Sequence, residues 1–226
     1  MKKIVILSGA GMSAESGIST FRDTGGLWEG HDIMEVASPE GWRKNPELFT
    51  EFYTKRRLQL AEVEPNAGHR ALKILEDQNE VFIITQNVDD LHERAGSTNI
   101  LHLHGELTKM RSTYNENSII DIGYKAMPYG ALCDNGHLLR PHIVWFGEAV
   151  PMIEQAVETL LDADVLIIVG TSLEVYPAAG LMHYAPSNCP IYLIDPNRHE
   201  NINNARIELI KVTAAKALPK LIKNWL

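Results

Sequence analysis

Lys3-Ile4-Val5-Ile6-Leu7-Ser8-Gly9-Ala10-Gly11-Met12-Ser13 runs an apolar stretch straight into a Gly-x-Gly turn. Residues 3–7 show no polar alternation. A strand apolar on both faces suits a parallel sheet covered by helices. The run is too short for the apolar core of a secretory signal, and Gly-Ala-Gly interrupts it. Similar runs recur at residues 81–85, 100–103, 165–169, 191–194 and 207–212. Between them lie helical patterns at 46–61 (Leu48, Phe49, Phe52, Leu60), 66–76 (Ala71, Leu72, Leu75), 152–161 and 214–225. The alternation predicts an α/β fold with an open, doubly wound parallel sheet.

Two segments break this rhythm. Residues 28–63 are mostly helical and precede the second strand, and residues 108–139 read as polar and loop-like. They predict a small inserted module, leaving residues 1–27, 64–107 and 140–226 to the larger part of one domain. The 226 residues suffice for this, and 45% hydrophobic with 22% charged residues is ordinary for a globular chain. The net charge of -8 argues against a general nucleic-acid binder. No apolar run is long enough to span a membrane. Cys133 and Cys189 are the two cysteines, which fits a reducing, cytoplasmic setting and no disulfide scaffold.

Polar clusters follow the strands: Gly9-Ala10-Gly11-Met12-Ser13, Gln86-Asn87-Val88-Asp89, His104-Gly105, Gly170-Thr171-Ser172 and Asp195-Pro196-Asn197. Ligands of open α/β sheets bind outside the carboxyl ends of the strands, so five such clusters suggest one composite site. Gly9 and Gly11 permit a tight turn and close approach to a ligand. Ser13 is placed to cap a helix starting near Ala14, where backbone N–H groups attract phosphate. A hydride-transferring enzyme should show a second strand soon after this loop, ending in an acid for the ribose. Residues 18–26 are instead polar and glycine-containing, and read as a lid over a cofactor.

Gly9-Ala10-Gly11-Met12-Ser13-Ala14-Glu15-Ser16-Gly17-Ile18 with Phe21-Arg22 resembles the glycine signature of the sirtuin family. Thr85-Gln86-Asn87-Val88-Asp89 with His92 and Ala95-Gly96, then His104-Gly105, then Leu139-Arg140-Pro141-His142-Ile143-Val144-Trp145-Phe146-Gly147-Glu148, resemble its next motifs. Gly170-Thr171-Ser172-Leu173 with Val175 and Pro177-Ala178 completes the series in the family's order. The resemblance implies a Rossmann-like sheet and an NAD-consuming protein-lysine deacylase. The acyl oxygen of a modified lysine would attack C1′ of the nicotinamide ribose, giving free lysine, nicotinamide and an O-acyl-ADP-ribose.

The resemblance also implies roles. His104 would be the general base, and its neutral-range pKa suits that task. Alternation with His102 leaves open that both are metal ligands or satisfied polar residues. Asn87 and Asp89 would surround the nicotinamide amide and its ribose, with a helix cap as the other reading of Asn87. Gly9, Ala10, Gly11, Ser13, Ala14, Phe21, Arg22, Gln86, Gly170, Thr171, Ser172, Asn197 and Ala214 would line the rest of the NAD site. Phe146, Gly147 and Val175, within 145–148 and 174–176, would flank a substrate peptide added as a strand.

Tyr53 and Arg56 lie three apart on a predicted helix, so their side chains can meet. The Tyr-x-x-Arg pair resembles the subgroup that removes malonyl, succinyl or glutaryl groups; Arg57 competes for the role. Deacetylation is compatible with the same pocket. The two Cys-x-x-Cys pairs that hold zinc in most of the family are missing: Ser112, Asn115, Leu132 and Asn135 stand near those places. No metal is therefore expected, and the module would rely on packing by Ile119, Ile120, Ile122, Tyr124 and Tyr129. Protein ADP-ribosyltransfer and a non-catalytic NAD or ADP-ribose sensor are the alternative functions.

Overall fold

In a computed structural model, residues 1–19, 27–28, 30–171, 173, 175–197 and 205–226 are described. The strands are β1 (Lys3–Ser8), β2 (Leu27–Trp28), β3 (His31–Asp32), β4 (Glu80–Thr85), β5 (Ile100–His102), β6 (Gly105–Ser112), β7 (Ile119–Asp121), β8 (Leu139–Ile143), β9 (Val165–Val169), β10 (Ile191–Ile194) and β11 (Ile207–Ile210). The helices are α1 (Ile33–Val36), α2 (Pro39–Lys44), α3 (Pro46–Glu62), α4 (Ala67–Leu75), α5 (Leu91–Arg94), α6 (Ile153–Leu160) and α7 (Ala214–Leu221).

The apolar runs form a parallel sheet in the order β11-β10-β9-β1-β4-β5. The order reverses beside β1, so β1 ends at the topological switch point where ligands bind. Strand side chains alternate between two cores, as the missing polar alternation requires. Ile4, Ile6, Ile83, Ile167 and Val169 pack under α4 and α7; Val5, Leu7, Ile84, Leu166 and Ile168 pack under α6 and the 3-10 turn Ala178–Tyr184.

The segment read as loop, residues 108–139, departs from expectation. β6, β7 and β8 form an antiparallel sheet that begins at Gly105 and ends at Ile143. Gly-Glu-Leu-Thr-Lys-Met-Arg-Ser in β6 mixes charges with apolar residues, and Pro141 sits inside β8, so neither resembles the buried runs of the large sheet. The packing of this sheet also corrects the sequence reading. Ile122 and Cys133 join Met110 and Leu139 in a buried cluster, and Ile120 packs against it. Ile119 and Tyr129 are exposed, and Tyr124 packs instead against the aromatic cluster of α3.

Asn45 caps α3 by accepting the Leu48 N–H at 3.1 Å, and Pro46 occupies its first position. One face of α3 carries Phe49, Phe52, Tyr53 and Leu60 into a cluster with Val36, Leu91, Leu107, Ile143 and Trp145. Arg57 on the same helix is 1% exposed. Its Nε donates to the Leu107 carbonyl at 2.6 Å, Nη1 to the Lys125 carbonyl at 3.3 Å and Nη2 meets Met110 Sδ at 3.6 Å. Burial lowers its pKa to about 10, which leaves it charged at neutral pH. Arg57 thus ties α3 to the antiparallel sheet, which removes it as a reader of the acyl group. Arg57→Ala leaves the buried Leu107 carbonyl and the partly buried Lys125 carbonyl without this donor and is expected to cost about 3 kcal/mol in urea unfolding. A cost below about 1 kcal/mol would mean that water satisfies both.

Candidate active site

The first loop is shaped by backbone approaching backbone. Gly9 N–H donates to Val169 O at 3.0 Å, and Gly11 N–H to Gly170 O at 2.8 Å. A Cβ on Gly11 would meet Gly170 Cα at 2.7 Å, and one on Gly170, at φ +65°, would meet Met12 N at 2.3 Å. The glycines of two motifs are therefore needed first for each other, where sequence reading assigned Gly9 and Gly11 to a ligand. The loop continues into two short 3-10 turns, Ala10–Met12 and Ala14–Ser16, and not an α-helix.

Ser13 makes no side-chain cap there. Its hydroxyl donates to Asp89 Oδ2 at 2.9 Å and accepts from Asn87 Nδ2 at 3.2 Å. The capping expectation is thus replaced by a buried polar chain linking the glycine loop to the loop after β4. Asn87 is likewise no helix cap; its own N–H goes to Thr85 Oγ1 at 3.0 Å. Asp89 Oδ1 accepts the Leu91 N–H at 3.2 Å. Burial raises the Asp89 carboxyl to about 6, with the bonds from Ser13 and Leu91 opposing. At neutral pH it is mainly an ionised acceptor in a dry site.

Gln86 spans the mouth of the crevice: its Nε2 donates to Thr171 Oγ1 at 3.2 Å, joining the ends of β4 and β9. The Gln86 carbonyl faces His104 Nδ1 at 3.0 Å. A carbonyl only accepts, so Nδ1 carries the proton and Nε2 keeps its lone pair. Burial lowers the His104 pKa, the Gln86 contact opposing, so the ring is neutral at pH 7. The Val144 N–H donates to the His104 carbonyl at 2.9 Å and anchors the backbone. His102 does not share a metal with His104. It contacts Asn87 O and Glu93 Oε1.

The remaining residues divide. Trp145 is buried and Phe146 exposed, so the adjacent aromatics separate into core and surface. Glu148 orders this segment by accepting from Arg140 Nη1 at 2.6 Å, Arg140 Nη2 at 3.0 Å and the Trp145 N–H at 2.8 Å. Gly147 is exposed at φ +89°, and Val175 is exposed as well. Ala214 is buried at the start of α7 in the sheet's core, beside Gly68, while Asn197 is exposed. Phe21, Arg22 and Ser172, and most of the lid expected at 18–26, lie outside the described residues. Sequence reading missed Asn66, whose Nδ2 donates to Met12 O at 2.8 Å and Ser16 Oγ at 3.1 Å while its Oδ1 caps α4. Pro-Asn before a helical pattern was the available signal.

Among the described residues, no group of three potential metal ligands includes Cys133. The thiol is buried in the apolar cluster with Met110, Ile122 and Leu139. That environment does not fit a four-ligand zinc site. Glu93, His102 and Glu106 do converge, but the His102–Glu93 and Lys109–Glu106 bonds account for their closeness.

A doubly wound sheet whose switch point carries a polar chain and a neutral histidine defines a nucleotide-site α/β enzyme fold. The chain belongs to the Sir2 family, whose model matches residues 9–177. A Helicobacter pylori (strain ATCC 700392 / 26695) "NAD-dependent protein deacylase" is 54% identical over 99% of each chain. A Bacteroides thetaiotaomicron protein of the same name is 51% identical over 98% of this chain and 97% of its own. A solved Sir2 homologue in complex with NAD is 39% identical, with a TM-score of 0.87 over 99% of this chain and 89% of that one.

Proposed function

We propose that this chain is an NAD-dependent protein-lysine deacylase that removes succinyl or malonyl groups, with acetyl as a further substrate. The carrying observation is His104: neutral, held through Nδ1 by the carbonyl of Gln86, the residue before the buried Asn87–Ser13–Asp89 chain, and carrying its lone pair on Nε2. The Sir2 relatives named as deacylases support the reading. The donor set fits NAD: Asn87 and Asp89 offer an amide and a carboxylate in a dry crevice, and Gln86 lies between the two halves of the switch point. NAD, when bound, supplies an electrophilic ribose carbon with nicotinamide as leaving group. His104 takes a proton at Nε2, and Asn87 and Asp89 orient the ribose and amide. The antiparallel sheet with α1–α3 forms the second part of the domain and needs no zinc in this reading.

Tyr53 supports the acidic-acyl preference. Its hydroxyl is buried without a hydrogen-bond partner, as is Trp145 Nε1 in the same aromatic cluster. Burial pushes the phenol well above its usual pKa, so it remains a neutral donor; the Trp145 indole lies near enough to oppose this without closing a bond. Arg56 sits one turn on, half-buried, its guanidinium 5.7 Å from the Phe52 ring. A terminal acyl carboxylate would give the orphaned hydroxyl an acceptor and pair with the guanidinium. Tyr53→Phe is expected to lower the succinyl-to-acetyl ratio of kcat/KM about tenfold while raising stability by about 1 kcal/mol. Matched acetyl-, succinyl- and malonyl-lysine peptides, followed by mass spectrometry with and without NAD, test both readings. Loss of acetyl alone would keep the deacylase and remove the acidic pocket.

A further inference from the structure

We infer that His102 is a positioning residue: as an imidazolium it clamps the backbone of Asn87 to Glu93 and so sets the Asn87 amide in the NAD crevice. The inference rests on the deacylase reading only in taking Asn87 as part of the NAD site. His102 ends β5, the edge strand of the large sheet. Its Nδ1 lies 3.1 Å from the Asn87 carbonyl oxygen and its Nε2 lies 2.8 Å from Glu93 Oε1.

Both partners are acceptors. A neutral imidazole has one N–H and would leave a lone pair facing an oxygen at one end or the other. Only the doubly protonated ring makes both bonds. The side chain of His102 is 9% exposed, so this is not a solvated surface pair of little consequence. From Asn87 the chain continues through Nδ2 to Ser13 Oγ at 3.2 Å and on to Asp89 at 2.9 Å. A shift of the Asn87 carbonyl therefore moves the amide that the Ser13–Asp89 pair must receive.

The charged and titratable groups facing His102 are Glu93 and His92 from α5, Glu106 with its partner Lys109 from β6, and Asp89 from the loop after β4. Burial opposes the charge. The Glu93 carboxylate, the Glu106 charge and the Asn87 carbonyl outweigh burial and lift the pKa above the ordinary histidine value. The clamp is thus complete below the ordinary value and is lost as pH rises through the raised one.

Two isosteric variants separate the ends of the ring. In His102→Asn the amide nitrogen takes the place of Nδ1 and keeps the tie to Asn87 without a titrating group. In His102→Gln it takes the place of Nε2 and keeps only Glu93. The expected results are a wild-type kcat/KM for NAD that falls about fivefold as His102 deprotonates, a loss of about fivefold in His102→Gln at every pH, and a loss within about twofold in His102→Asn with that alkaline limb gone. ¹⁵N-histidine spectra at about pH 6, below the ordinary histidine value, should show both His102 ring nitrogens protonated. NAD affinity by calorimetry over the same pH series needs no turnover. If affinity follows His102 while no acyl peptide is cleaved, the deacylase reading fails and the clamp stands. A singly protonated His102 at that pH, like behaviour of the two variants, or no NAD binding by wild type overturns the clamp.

Discussion

His104→Ala is expected to lower kcat/KM for acyl-lysine removal by about 10²- to 10⁴-fold while the fold persists. The persistence follows from the backbone, since Val144 still donates to the carbonyl of residue 104 and Leu103 still donates to Thr85 O at 2.9 Å. What goes is the side-chain contact to Gln86 O, worth about 1 kcal/mol. The wild-type pH profile carries the same information. Burial depresses the His104 pKa, so the proposed base is protonated and lost only as pH falls through a value below the ordinary 6.5. The sign for stability is the same: the unfolded chain takes up this proton first, so stability falls between the unfolded and the depressed folded pKa as the solution is acidified. Nicotinamide release over about pH 5 to 9 should show the acid limb in wild type. A variant retaining more than about a tenth of the activity would place the base elsewhere.

Most of the large sheet was legible because fully buried parallel strands leave a signal that needs no partner to be read. Val165–Val169 is apolar at every position, and it is buried at every position. β6 and β8 were illegible for the converse reason. Their residues are buried by α3 and by each other, through contacts such as Arg57 to the Leu107 carbonyl, which a local pattern cannot contain. The site divides on the same line. Motif order brought out Asn87, Asp89 and His104, and residue type suggested the base. The partner of Ser13 was not readable: a serine before a helical stretch looks like a cap, and only the meeting of two loops 76 residues apart makes it the link between Asn87 and Asp89. His102 is the same case. Alternation with His104 placed both at one strand end, but the two rings face different acceptors, and only those acceptors decide their protonation.

Gly105→Ala is expected to cost about 4 kcal/mol or more, enough to prevent a marginally stable chain from accumulating folded. Gly105 pairs with Ile143 where β6 begins, one residue after His104, and its φ is +81°. A Cβ there would lie 2.0 Å from the His142 carbonyl oxygen, 2.9 Å from its carbon and 3.1 Å from Ile143 Cα. All three are backbone atoms of β8, so no side-chain rotation relieves the overlap; the two strands must part. Gly123→Ala separates the causes. Gly123 also has positive φ, +55°, but a Cβ there meets nothing within 4 Å. That variant should bear only the conformational term, about 1 to 2 kcal/mol. Urea unfolding of both variants decides the matter, and equal costs would mean that β8 yields without loss. Any Gly105→Ala protein that does fold should show a lowered kcat, because residue 104 and residue 105 cannot move independently and parting β6 from β8 also strains the Val144 bond to the His104 carbonyl. The glycine after the histidine is thus the point through which the antiparallel sheet holds the His104 ring against Gln86.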